Sequence, residues 1–243
     1  FTAADDGEKL RVNGYWDGAD EARSVSSEIE SLQAAGVNLS KVAVLVRAGF
    51  QTREFEERFI AIGLPYKVLG TRFYERAEIR DAIAYLRLVT QPSDDLAFER
   101  IVNVPKRGLG TASLQAVHVQ ARASGKPLMA AAIDLVTTDE LRPAARNALG
   151  GFCKDIGRWR EAAAGMHHTD LAKMVLDESG YTGMWQADRS PEAEGRLENL
   201  TELVNAMQDF DTLQGFLEHI SLVMDGDTAV SYTHLTLPTT PVV

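Results

Sequence analysis

Residues 42–59 read VAVLVRAGFQTREFEERF, and this stretch decides the predicted fold. The apolar run at its start is typical of a strand that is buried on both faces of a parallel sheet. Thr52 then opens a helical pattern in which Phe55, Phe59 and Ile60 recur along the segment. A buried strand followed by an amphipathic helix predicts one repeat of an α/β fold.

The segments on either side continue the same alternation. Residues 9–15 alternate polar and apolar side chains, which is a strand pattern. Residues 20–35 carry apolar side chains at helical spacing and stop at Gly36. Residues 66–69 form another short strand. The β-α-β-α-β order predicts a partial parallel sheet with helices packed on it.

After Gly70 the strand patterns fade, and the remaining patterns predict helices, first in the rest of the α/β domain and then in an all-α domain. Amphipathic helices are predicted at residues 78–90, 96–102, 111–124, 127–136, 140–164, 168–178, 191–209 and 213–224. We place the boundary between the two domains near residues 138–146. The predicted fold class is therefore α/β followed by all-α, mostly helical overall.

Two ends of the chain look unlike the start and finish of a natural protein. The first residue is Phe1 rather than Met, so we expect the chain to begin inside a longer sequence. Residues 231–243 read SYTHLTLPTTPVV, and their two prolines fit neither a helix nor a packed strand. We expect this tail to be non-native and exclude it from the reasoning on fold and function.

Composition and charge limit the classes of protein to which this chain can belong. The net charge of -10 argues against an overall basic nucleic-acid binder, although a local basic track can lie on an acidic body. A single cysteine, Cys153, cannot form an internal disulfide and favours a reducing, cytoplasmic setting. No apolar run approaches the ~20 residues of a membrane span, so we expect no membrane partner.

Three further stretches join residues 42–59 in a recognisable order. They are residues 70–88 (GTRFYERAEIRDAIAYLRL), residues 94–110 (DDLAFERIVNVPKRGLG) and residues 196–200 (RLENL). In order and spacing, the four stretches resemble the superfamily 1A DNA helicases of the UvrD/PcrA/Rep kind. The resemblance extends over nearly all of residues 1–230.

The resemblance implies an architecture and a compartment. Residues 1–140 correspond to the N-terminal part of the second RecA-like domain, called 2A, which is of the P-loop NTPase type. Residues 141–227 correspond to the helical insertion called 2B. Residues 228–243 would hold a truncated return to 2A together with the tail. The implied location is the bacterial cytoplasm.

Arg47 is the predicted catalytic residue. A guanidinium at the end of a buried strand is placed to hold phosphate oxygens, because it binds them in bidentate fashion and stays charged. In the family that the sequence resembles, this Arg reaches the γ-phosphate of ATP like an arginine finger, which implies that Arg47 is catalytic and ATP-binding. The alternative is an Arg that caps a sheet edge or pairs with Glu54 or Glu57.

Residues 104–111 read VPKRGLGT and form the first predicted DNA contact. The residues proposed to contact DNA are Lys106, Arg107, Gly108, Gly110 and Thr111. Two cations, outward-pointing N–H groups at glycines and a helix N-terminus together favour a phosphate. The alternative is a structural loop in which a glycine ends one helix and Thr111 caps the next.

A similar turn lies at residues 179–182, SGYT. It resembles the family's glycine-centred turn that touches the duplex backbone, which implies DNA contact by Gly180, Tyr181 and Thr182. The alternative is that Gly180 only ends the helix before it.

The sequence contains neither a G-x-x-x-x-G-K-[ST] loop nor an acidic Walker B pair. The resemblance therefore implies ATP and Mg²⁺ as cofactors of a full-length parent, with neither bound by this chain alone. We expect no ATPase activity from the isolated chain. We also expect no metal site, since His167 and His168 have no further ligands at metal spacing.

Two functional hypotheses follow. The first is a fragment of an ATP-dependent 3′–5′ DNA helicase and translocase that couples ATP hydrolysis to unwinding in repair or replication. Its partners would be single-stranded and duplex DNA, together with repair proteins. The alternative is a non-catalytic helical module that binds a protein partner and carries a degenerate α/β domain.

Overall fold

A computed structural model of the chain describes residues 10–68 and 72–225. The chain divides into two compact units, Phe1–Leu69 and Gly70–Val243. The 2A/2B boundary expected near residue 140 lies inside the second unit, and it stays a prediction about the family's domains. The expected return to 2A and the non-native tail, residues 228–243, lie outside the described residues.

Two helices form the core of the first unit. α1 (Gly18–Ala34) begins after Asp17, whose side chain accepts a hydrogen bond from the Asp20 backbone N–H at 2.7 Å. α2 (Thr52–Ala61) packs against α1. Their contact buries Ala22, Ile29, Phe55 and Phe59, with Val25, Leu39, Val42, Leu64 and Tyr66 partly buried around them. Short 3-10 helices lie at Leu39–Lys41 and Gly49–Gln51. Both helices predicted for this region are confirmed.

The predicted parallel sheet is wrong. Residues 10–15, 42–46 and 66–68 form no strand, and neither does any other described residue (Lys9 and Leu69 lie outside the described ranges). The side chain of Leu45, in the middle of the apolar run, is 93% exposed. The backbone N–H of Val42 bonds back to Leu39 at 3.0 Å rather than across to a neighbouring strand.

The physical reason for this error is that an apolar run indicates only a preference for burial. A strand also needs a neighbour that pairs with its N–H and C=O groups and a layer that covers its faces. Of the apolar side chains at residues 42–46, Val42 packs on the α1–α2 core, while Leu45 and its neighbours remain exposed. The described part of the fold is therefore helical, and the α/β class is not observed.

The second unit is built from helices α3 to α11. They are α3 (Ala77–Thr90), α4 (Asp95–Ile101), α5 (Thr111–Ser124), α6 (Leu128–Val136), α7 (Pro143–Ala163), α8 (His168–Glu178), α9 (Tyr181–Ala187), α10 (Ala193–Ala206) and α11 (Leu213–Asp225). Short 3-10 helices lie at Phe73–Glu75 and Met207–Asp209. The eight helices predicted after residue 70 are confirmed. α9 was not predicted, because residues 179–182 were interpreted only as a turn. None of the helices in the described ranges is long and apolar enough to cross a bilayer.

α3 lies at the centre of this unit. It contacts α4, α7, α8, α10 and α11. Its buried residues are Glu78, Ile79, Ala82, Ile83, Ala84, Tyr85, Leu86, Leu88 and Val89, so burial is not confined to one stripe of the helix. A helix buried on several faces is characteristic of a domain's interior. The polar groups of α3 must therefore find partners on the surrounding helices.

A buried polar cluster joins the start of α3 to α10. The amide of Asn199 donates to Glu78 Oε1 at 2.6 Å, and Arg76 Nη1 donates to Asn199 Oδ1 at 2.9 Å. Asn199 and Glu78 are 7% and 6% exposed, so water cannot replace either partner. This cluster explains structurally why Asn199 stands within the RLENL stretch.

A second polar contact joins α7 to α8. The indole N–H of the buried Trp159 donates to Glu178 Oε2 at 2.7 Å, and Arg158 pairs with the same carboxylate. The hydrogen bond from Trp159, followed by that from Arg158, holds the pKa of Glu178 below its ordinary value. The ionised form of Glu178 therefore contributes to the packing of the two helices.

We expect Asn199→Ala to lower the free energy of unfolding by about 1–3 kcal/mol, because it leaves the buried Glu78 carboxylate without its amide partner. Urea denaturation of the chain measures this. Asn205→Ala is the matched control, since Asn205 is exposed on the same helix. Equal losses in the two variants would contradict a stabilising role for the cluster.

We expect Glu178→Gln to destabilise the chain at neutral pH, because the neutral amide cannot pair with the charge of Arg158. The folded pKa of Glu178 lies below its unfolded value, so its contribution is complete above the unfolded pKa and is lost as the pH falls through the folded pKa. Thermal unfolding of wild type and variant across pH 7 to 3 should therefore show a Tm difference that shrinks on acidification. A difference that grows toward low pH would refute the assignment.

Candidate nucleic-acid interface

The loop between α4 and α5 is held in shape by one side chain. Asn103 Oδ1 accepts hydrogen bonds from the backbone N–H groups of Arg107 at 2.8 Å and Leu109 at 3.3 Å. Its amide donates to the carbonyl of Leu109 at 2.9 Å. Gly108, between these residues, has a φ of +75°, a conformation that favours glycine. The Asn103 side chain thus holds the loop backbone at both Arg107 and Leu109.

The Arg107 side chain turns inward beneath this loop. Its Nη1 donates to the carbonyls of Ile101, Val102 and Pro105 at 3.0, 3.3 and 3.3 Å, and its Nη2 donates to the Tyr85 hydroxyl at 2.6 Å and to the carbonyl of Ser179 at 3.4 Å. The guanidinium also lies 5.0 Å from the centre of the Phe152 ring. The Arg107 guanidinium therefore makes hydrogen bonds to the protein itself on several sides instead of pointing into solvent.

The turn at Gly180 lies against this loop. Gly180 has a φ of +77° and sits between the end of α8 and the start of α9. A Cβ placed on Gly180 would lie 3.9 Å from Cγ of Pro105. Together with the bond from Arg107 to Ser179, this contact brings the two glycine turns side by side, although about 70 residues separate them in sequence.

The start of α5 carries no side-chain cap. Gly110 is the N-cap residue and Thr111 is the first residue of the helix, so the alternative in which Thr111 caps α5 is not observed. The N–H groups of the first turn of a helix have no acceptor within the helix and favour an anion. Gly110 and Thr111 are both exposed, so these groups are accessible.

The remaining predicted contact residues divide by exposure. Lys106 is exposed and has no ion-pair partner among the described residues of its unit. Gly108 and Gly180 are exposed, and Thr182 is half-buried. Tyr181 is 0% exposed, and its hydroxyl bonds to the carbonyl of Glu78 at 3.2 Å and to Asp81 at 3.1 Å. Tyr181 is thus a core residue that supports the turn, not an outward-facing one.

Tyr85 and Asn103 were not singled out by sequence reasoning, yet they organise this surface. The Tyr85 hydroxyl donates to the carbonyl of Val104 at 2.5 Å while it accepts from Arg107. Burial raises the pKa of Tyr85, against a smaller opposing effect of Arg107, so the proton it donates is retained. A tyrosine on the buried side of an amphipathic helix is an ordinary core residue in a sequence, and only its contacts reveal this role.

In the first unit, Arg47 is exposed and follows the extended segment at residues 42–46. Gln51 Oε1 accepts hydrogen bonds from the backbone N–H groups of Arg47 and Ala48, both at 3.0 Å. The carboxylates of Glu54 and Glu57, offered by the sequence as partners of Arg47, instead pair with the buried Arg53. The Arg47 side chain has no ion pair among the described residues of this unit.

Cys153 lies in α7 and is buried. Burial raises the pKa of its thiol to about 12, so the thiolate is scarce at neutral pH. Cys153 therefore packs as a core residue of α7.

Comparison with known proteins shows the family to which this chain belongs. The model of the UvrD-like helicase C-terminal domain matches residues 1–141. The chain is 40% identical to a probable DNA helicase II homolog of Rickettsia felis over 229 residues, which is 93% of this chain and 35% of that protein. It is 37% identical to the ATP-dependent DNA helicase PcrA of Bacillus subtilis over 93% of this chain and 32% of that protein. For DNA helicase II of Escherichia coli the identity is 34%, over 91% of this chain and 32% of that protein.

The chain thus spans about a third of the length of the curated relatives it matches. The family model covers more than half of the chain, and the similarity to the relatives extends into the helices beyond it. The resemblance found in the sequence motifs is confirmed, and the chain belongs to the UvrD-like helicase C-terminal domain family.

Proposed function

We propose that this chain is part of an ATP-dependent 3′–5′ DNA helicase and translocase, in which the second unit contacts the DNA backbone. The observation that carries the proposal is the pairing of two exposed glycine turns, at Gly108 and Gly180, on one surface. Membership of the UvrD-like helicase family and the similarity to ATP-dependent DNA helicases support it.

The chemistry of this surface suits a phosphate chain. Lys106 offers an exposed positive charge, and the start of α5 offers uncapped N–H groups beside it. Such contacts recognise phosphate and sugar and carry no base sequence. A local contact of this kind is compatible with a chain whose net charge is -10, because it depends on a few groups rather than on the average.

In the whole protein, ATP and Mg²⁺ would bind between this part and a domain that supplies the phosphate-binding loop, which this sequence does not contain. Arg47 is the residue we propose for contact with the γ-phosphate. The support is its exposure, together with the Gln51 side chain that holds the backbone at Arg47 and Ala48. Closure of the two domains on ATP would move single-stranded DNA, and the duplex ahead would meet the surface around Lys106. Repair proteins are proposed as further partners.

We expect Lys106→Gln to weaken binding of a short fluorescein-labelled duplex and to reduce the slope of log K against log salt by about 0.9, the value for one phosphate contact. Fluorescence anisotropy over a series of salt concentrations measures both quantities. Lys126→Gln is the matched control. It removes the same charge near the opposite end of the 14-residue α5, where Lys126 pairs with Asp134 at 2.6 Å. An unaltered slope for Lys106→Gln would contradict a phosphate contact by Lys106 and leave the loop with a structural role only.

We expect Arg47→Ala, in a full-length helicase that carries this segment, to lower DNA-stimulated ATPase turnover by up to about 10³-fold, the lower end of the range for arginine fingers. Arg11→Ala is the control, since Arg11 is an exposed arginine of the same unit. Steady-state ATPase assays and a circular dichroism spectrum distinguish lost chemistry from lost folding. Unchanged turnover would remove Arg47 from the nucleotide site.

A further inference from the structure

We propose that Arg107 and Tyr85 form a positioning clamp that sets the distance between the two glycine turns, and that Arg107 itself does not touch DNA. The inference rests on the proposed function, because it concerns how the same surface is shaped for a DNA backbone. It differs from the sequence-based expectation, in which Arg107 contacts a phosphate directly.

The guanidinium of Arg107 is bound to the protein on several sides. Arg107 donates to backbone carbonyls of two segments. Those of Ile101, Val102 and Pro105 lie at the end of α4 and in the α4–α5 loop, and that of Ser179 directly follows α8. Its planar group also lies over the rings of Phe152 and Tyr85 at 5.0 and 6.0 Å. To reach a phosphate, the side chain would have to give up these partly buried hydrogen bonds together with its contacts to the two rings, which is costly.

Tyr85 is the buried partner of Arg107 in this clamp. Its ring is 0% exposed and lies between Trp159 and Tyr181, with ring centroids at 6.3 and 6.0 Å. Its hydroxyl uses both hydrogen-bonding capacities, since it donates to Val104 and accepts from Arg107. Tyr85 therefore ties the clamp to the central helix α3, the most buried element of the unit.

A DNA backbone requires a fixed distance between two points that contact it. Phosphates on one DNA strand follow one another every ~3.4 Å along the axis, so a shift of a few ångströms between two contacts changes which phosphate each one meets. Two turns far apart in sequence hold a fixed separation only if something joins them. In this unit the bonds from Arg107 to both segments provide that connection, and a preorganised surface avoids the cost of ordering the turns on binding.

The test is a double-mutant cycle with Tyr85→Phe and Arg107→Gln in the whole chain, with duplex affinity and salt slope measured by anisotropy. We expect each single variant to weaken binding about tenfold, the double variant to be no weaker than Arg107→Gln, and the salt slope to stay at the wild-type value. Tyr85→Phe removes one oxygen and retains the ring, so it keeps the test valid if Arg107→Gln fails to fold. Lys126→Gln serves as the control for loss of a charge.

Arg107→Lys separates the clamp from a direct contact. A lysine keeps the charge but cannot reproduce the fork of donors, so we expect it to bind as weakly as Arg107→Gln. Wild-type affinity in Arg107→Lys, or a slope reduced by about 0.9 in Arg107→Gln, would overturn the clamp and establish a phosphate contact. Additive effects of Tyr85→Phe and Arg107→Gln would also overturn it. Absence of salt-dependent duplex binding by the wild-type chain would instead overturn the proposed function, and the clamp with it.

Discussion

Burial of α3 is the constraint on which the second unit depends. This helix is covered by neighbours on several faces, yet it carries the buried polar groups of Glu78 and Tyr85 and the partly buried carboxylate of Asp81. A buried polar group without a partner costs about 1–3 kcal/mol, so each of these groups must be matched by another element. Asn199 of α10 meets Glu78, Arg100 of α4 and Tyr181 of α9 meet Asp81, and the α4–α5 loop meets Tyr85. The polar residues of one helix thereby define where its neighbours sit.

The same constraint connects the core to the surface proposed to contact DNA. Tyr181 directly follows Gly180, and its hydroxyl is anchored on α3. The α4–α5 loop is anchored on α3 as well, through Tyr85 and Arg107. Both exposed glycine turns are therefore anchored on the same buried helix, and this is why two turns distant in sequence lie on one surface. Lys106 differs from its neighbour Arg107 because its ammonium is left outside this network.

Helices were largely predictable from the sequence, whereas strands were not. An amphipathic helix satisfies its backbone hydrogen bonds within the segment, so periodicity alone located α1 to α8, α10 and α11 within a few residues. The apolar run at residues 42–46 was equally clear as a pattern, but a strand depends on a partner elsewhere. Leu45 remains exposed in consequence, and the predicted sheet is absent from the described residues. The short α9 was not predicted, because the glycine turn at its start was interpreted without the helix that follows it.

By itself, the sequence determined the family, the order of the helices and the two glycine-containing turns, because motifs and periodicity are local properties. Only the tertiary structure decided which residues of those turns face outward. Lys106 and Arg107 are adjacent cations that no local pattern distinguishes, yet one is exposed and the other is bound beneath the loop. Tyr181 likewise changed from a predicted contact to a core residue once its hydroxyl was found on α3. The physical reason is that exposure and hydrogen bonding depend on elements up to about 100 residues away, which the spacing of residues within one segment does not encode.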